Sequence, residues 1–130
     1  MRYNAATEDW QPSSQRFSLC SDRSSDACVI DGDTIIIGKR KIRLTGYNAP
    51  ELAGECPAET ALARKSRDAL LQWLNQGAFE MSGGDEAAYD QYGRELREIR
   101  RGNVLLADRM IDADLAQGSG WGFVRGGWCE

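Results

Sequence analysis

Asp31, Asp33 and Glu51 share one short stretch, VIDGDTIIIGKRKIRLTGYNAPE, with Arg43 and Asn48, and Arg94 follows in YDQYGREL. Carboxylate and amide oxygens are hard donors that suit calcium rather than zinc, so Asp33 with Asn48 offers ligands to such a cation. Arg43 and Arg94 each present a planar fork of donors matched to two oxygens of a phosphate. Glu51 follows Pro50, whose ring restricts the backbone, so its carboxylate can be held near the metal. Hydrolysis at a phosphodiester needs an in-line water, cancelled charge on the equatorial oxygens and help for the leaving oxygen, and these residue types supply such groups.

Composition narrows the alternatives. The chain has no histidine, which removes Ser-His-Asp and Cys-His nucleophile systems, His-ligated zinc and His acid-base catalysis. Its four cysteines, Cys20, Cys28, Cys56 and Cys129, show no CxxC spacing, so they do not read as a zinc site. Disulfides and buried free thiols both stay open, with three connectivities possible. If bonded, Cys20 to Cys28 closes a short hairpin and Cys56 to Cys129 ties down the tail, and the protein then belongs in an extracytoplasmic or secreted setting. A net charge of -4 argues mildly against holding nucleic acid by bulk charge, so any phosphate site must be local.

At 130 residues, 42% of them hydrophobic, the chain is read as one domain, a monomer, with a single core. No apolar run is long enough to span a bilayer, and MRYNAATEDWQPSS has no apolar signal region, so neither membrane nor signal segment is read in the sequence. Residues 1–16 are polar and aperiodic and read as a loose arm, leaving 17–130 as the domain. CVIDGDTIII and KIRLTGY read as two strands joined at Gly38-Lys39-Arg40, with Ile42 and Leu44 facing opposite to Lys41, Arg43 and Thr45. Pro57 opens an amphipathic helix carrying Ala58, Leu62, Ala69, Leu70, Trp73 and Leu74, stopped by Gly77. AFEMSG and RELREI read as further strands. NVLLADRMI reads as a helix capped by Asn103 with Val104, Ala107, Met110 and Ile111 on one stripe, and a third short helix starts near Leu115. The fold class expected is mainly β with helices, a small barrel with helices packed on it.

VIDGDT, KIRLTGYNAPE, the helix after CPAE, and YDQYGRELREI followed by MIDADLA come in the order and at the spacings of the staphylococcal nuclease (thermonuclease) family. The resemblance covers about Cys28 to Ala116. It implies a five-stranded OB-fold barrel with about three α-helices, and calcium-dependent cleavage of DNA and RNA. By the same resemblance Asp33 is a metal-binding carboxylate, Glu51 the group acting on the attacking water, and Arg43 and Arg94 the guanidinium pair on the scissile phosphate. Asn48 stands where the family has its second metal-binding aspartate, and Ala49 where it has a threonine that donates its carbonyl. Asn48 keeps one oxygen without the charge, which implies weak calcium. Gln91 replaces a lysine common in the family.

Taken singly, each residue has a structural reading. Asp31-Gly32-Asp33-Thr34 can be a plain turn, Arg94 beside Glu95 a solvent-facing pair, Asn48 a turn residue, and the tryptophans packing residues. Only the joint presence of Asp33, Arg43, Glu51 and Arg94 favours a metal-dependent nuclease acting on nucleic acid. The alternative is a weakened or inactive OB-fold module that binds nucleic acid or protein.

Overall fold

The computed structural model describes residues 9–22, 26–84, 87–118 and 127–129. The β-branched run CVIDGDTIII is a hairpin rather than one strand. Strands β3 (Ala27–Asp31) and β4 (Thr34–Ile37) pair antiparallel, Val29 opposite Ile35 and Asp31 opposite Thr34. The reversal comes from a local bond that competes with strand continuation: Asp31 Oδ1 accepts the N–H of Asp33 at 3.2 Å. Gly32 also lets the turn approach the long helix described below, because a Cβ there would sit 2.1 Å from Ser66 Oγ. Strand β5 (Arg40–Leu44) then pairs with β4, as the sequence indicated, through a turn in which Gly38 adopts φ 63°. Ile42 and Leu44 are buried at 0% and 1% exposure, and Arg43 lies on the other face.

These strands are the middle of a six-stranded sheet. Strand β2 (Phe17–Leu19) adds parallel to β3, β9 (Glu95–Arg97) parallel to β5, and β8 (Ala88–Tyr89) antiparallel to β9. A four-stranded sheet has the order β1 (Gln11–Ser13), β7 (Phe79–Met81), β10 (Ile99–Arg101), β11 (Val104–Leu105), and β6 (Tyr47–Asn48) pairs with β12 (Gln117–Gly118). The class is mainly β with helices, and the described ladders are open sheets that do not close into a five-stranded barrel.

Helix α1 (Pro57–Leu74) starts where Pro57 predicts, with Cys56 as N-cap. Of the expected stripe, Leu70 and Leu74 are buried and Ala69 and Trp73 pack against the core, but Glu59, Ala63 and Ser66 extend the buried face and Ala58 is exposed. Arg101 closes the other end, donating to the carbonyls of Trp73, Gly77 and Ala78 and lying 3.9 Å over the Trp73 ring. Helix α2 (Leu106–Asp112) is shorter than NVLLADRMI suggests. Gly102-Asn103 is a hairpin turn between β10 and β11, so Asn103 caps nothing and Val104 is 46% exposed. The two helices named are those found among the described residues. The third expected near Leu115 is not formed at 115–118, where a bend at 115–116 leads into β12, and its remainder falls outside the described residues.

The arm expected over residues 1–16 is partly ordered: Gln11–Ser13 pairs with β7, and Trp10 lies against the Arg100 guanidinium at 4.1 Å. Residues 1–8 lie outside the described residues. Both cysteine pairs are disulfides, Cys20–Cys28 and Cys56–Cys129. Because β2 and β3 run parallel, the first closes a short crossover rather than a hairpin. The second joins residue 129 to the N-cap of α1. No helix among the described residues is long and apolar enough to cross a membrane.

Candidate active site

Asp33 ends the β3–β4 turn with its side chain turned inward, and the chain around it is cross-braced. Tyr47 donates its hydroxyl to the Gly32 carbonyl at 2.7 Å, and Ala49 donates its N–H to Asp33 Oδ2 at 2.9 Å. The strand β6 and the 49–51 segment are thereby fixed against the turn. Burial pushes the Asp33 carboxyl from its ordinary 3.8 up to about 6. The Arg43 guanidinium and the Ala49 N–H pull the other way, and the nearby Asp31 carboxylate adds to the rise.

Arg43 reaches this cluster from β5. Its Nη2 lies 3.3 Å from Asp33 Oδ2 and donates to Asn48 Oδ1 at 2.9 Å and to the Tyr47 carbonyl at 3.2 Å. Nη1 donates to the Leu44 carbonyl. Two backbone carbonyls therefore hold the fork in place while one edge meets the two side-chain oxygens. The donor set fits calcium in type: an Asp carboxylate and an Asn oxygen, with Asp31 close by, all hard oxygens, whereas Ala49 meets Asp33 through its N–H. It is poor in charge, since no group of three or more His, Cys, Asp or Glu comes together among the described residues. A cation there shares its oxygens with a guanidinium already present, which favours weak binding.

Asp33, Arg43, Asn48 and Ala49 thus form one hydrogen-bonded cluster. Glu51 is exposed two residues beyond Ala49, with its backbone N–H bound to Glu59 Oε2 at 3.0 Å. Arg94 sits in the β8–β9 hairpin, where Asp90 Oδ2 accepts from its Nε at 2.6 Å and Asp90 Oδ1 accepts from its backbone N–H. The register sets Arg43 opposite Leu96. Arg94 itself precedes β9, in the turn where its carbonyl accepts the Asp90 N–H at 2.9 Å.

Glu95 does not pair with Arg94. It turns inward, 4% exposed, and receives Arg40 through two bonds and Arg97 through a third. Three participants were not read from the sequence. Asp90 orients Arg94, Tyr47 braces the Asp33 turn, and Glu59 holds the loop that carries Glu51. Only Glu59 had a signal, the three-residue spacing from Cys56 that marks a capping box.

Neither a protein-family model nor a curated protein matches this chain.

Proposed function

We propose that this chain is a calcium-dependent nuclease of the staphylococcal nuclease type, hydrolysing phosphodiester bonds of DNA or RNA. The observation that carries the reading is the Arg43 guanidinium fixed by two carbonyls beside Asp33 and Asn48. Asp33, Asn48 and the carbonyl of Ala49 would hold calcium, which supplies Lewis acidity toward the phosphate and a site for water. The chain's own residues do the rest. Arg43 and Arg94 bind phosphate oxygens and offset the charge that builds on them. Glu51 accepts a proton from the attacking water or orients it.

The barrel belongs to the same reading. Strands β9 and β10 are interrupted only at Glu98, and each belongs to a different sheet. Ser82 N donates to the Glu98 carbonyl and Thr45 N to the Arg97 carbonyl at that corner. We read this continuous bent strand as one corner of an OB-type barrel. The two disulfides suit an oxidising compartment, and the protein is read as secreted or extracytoplasmic.

The test is cleavage of a labelled single-stranded oligonucleotide with calcium and with a calcium chelator. Chelator-sensitive cleavage is the expected result. A second reading, a module that binds nucleic acid without cutting it, is favoured by the amide at Asn48 and its bond to Arg43. Salt-dependent oligonucleotide binding without cleavage would select it.

A further inference from the structure

Glu59 is a charged residue on the core-facing stripe of α1, 6% exposed, and it takes no part in the cluster around Asp33 described above. Its Oε2 accepts the backbone N–H of Glu51 and its Oε1 that of Glu55, each at 3.0 Å. Together they pull the 51–55 loop onto the first turn of the helix. Gly54 shows how tightly: a Cβ there would lie 2.8 Å from Glu59 Cγ and 3.0 Å from the Glu51 carbonyl oxygen. From the other side, Glu59 N donates to Cys56 Sγ at 3.4 Å, and the Sγ of Cys129, bonded to Cys56, lies 4.0 Å from Glu59 Oε1. An ordinary capping box needs the third helical residue to reach back only to the N-cap amide. Glu59 reaches past it, to the residue before the cap and to Glu51 itself. A carboxylate with both oxygens bound to backbone amides is among the stronger anchors available to a loop.

We propose that Glu59 is a positioning residue for Glu51, fixing its backbone so that the exposed carboxylate is presented beside the Asp33–Arg43 cluster. This role rests on the nuclease reading above. Glu59→Gln keeps size and one acceptor oxygen but turns the other into a donor, so one of the two loop bonds is lost. The expected result is a loss in kcat of about tenfold or more with KM little changed. Amide hydrogen exchange should speed at Glu51 or Glu55, whichever amide loses its acceptor, while the amides of β3 to β5 keep their protection. In a Glu51→Gln background, Glu59→Gln should cost no further kcat, because the group it positions is already gone.

Normal kcat in Glu59→Gln, losses that multiply with Glu51→Gln, or faster exchange throughout the chain would each overturn the role. If Glu59→Gln does not fold, Gly54→Ala disturbs the same loop from its other side and is read by the same three measures. A wild-type protein without chelator-sensitive hydrolysis overturns the nuclease reading and this role together. An active wild type with an indifferent Glu59→Gln overturns this role alone.

Discussion

Arg43 Nη2 meets Asp33, Asn48 and the Tyr47 carbonyl at once, so charge at this site is decided residue by residue. Exchanging the amide at Asn48 for a carboxylate adds a unit-charge attraction to a divalent ion, a few kcal/mol at an effective dielectric of about 20 before the offsetting dehydration. Asn48→Asp should therefore bind calcium at least about tenfold more tightly, read by calorimetric titration of both forms. Unchanged affinity would remove Asn48 from the ligand set. At Arg94 the geometry of the fork matters more than its charge. Arg94→Lys keeps the charge, loses the paired donors and the bond from Nε to Asp90, and should lower kcat by about a hundredfold or more while the thermal midpoint stays near that of the wild type. Near-normal turnover in that variant would take Arg94 out of the site.

Strands β5 and β9 are pinned to each other by side chains as well as by their ladder. Glu95 on β9 accepts from Arg40 on β5 and from Arg97 on its own strand. The Arg40 hydrogen bonds, outweighing the cost of burial and reinforced by Arg97, hold the Glu95 carboxyl at about 2, below its ordinary 4.5. A carboxyl lowered in the folded state contributes stability above its unfolded value, and the contribution is lost as pH falls from about 4.5 toward 2. Glu95→Gln should thus cost roughly 1–3 kcal/mol at pH 7, and the gap from wild type should close near pH 2. Denaturant midpoints of both forms across that range are the measurement, and a pH-independent gap would contradict the assignment.

At this scale much of the fold was legible. The β4–β5 hairpin followed from Gly38 between β-branched runs, and the start of α1 followed from Pro57. What misled was competition from local and distant partners. CVIDGDTIII reads as one strand by its β-branched residues, whereas the turn that Asp31-Gly32-Asp33-Thr34 also offered is the one formed, with Asp31 Oδ1 accepting the Asp33 N–H. Gly102-Asn103 can cap a helix or turn a hairpin, and pairing with β10 decided for the hairpin. Glu59 escaped notice because a hydrophobic period does not register a carboxylate on the core face. The charged residues of the cluster were legible by type and order, whereas Tyr47, Asp90 and Glu59 act through contacts between segments far apart in the chain or through backbone groups.

Across the whole molecule, the disulfide from Cys56 to Cys129 spans 73 residues and joins residue 129 to the helix that supports the Glu51 loop. A cross-link over a loop of that length contributes about 2–4 kcal/mol through the unfolded chain. Cys129→Ser should lower unfolding stability by that amount in urea titration, and mass analysis of the wild type should find all four cysteines protected from alkylation until reduction. Labelling of the unreduced, folded or denatured protein would contradict two disulfides.

With a net charge of -4, the phosphate affinity proposed here has to come from local groups, Arg43 and Arg94 in this reading. Hydrolysis of a single-stranded oligonucleotide by the disulfide-bonded protein, followed against calcium concentration with Arg94→Lys purified in parallel, tests the central claim most directly. The account predicts cleavage that rises with calcium into the range of a weak site, vanishes with chelator, and falls about a hundredfold in Arg94→Lys. Cleavage that ignores the chelator, equals that of Arg94→Lys, or is absent at saturating calcium would contradict it.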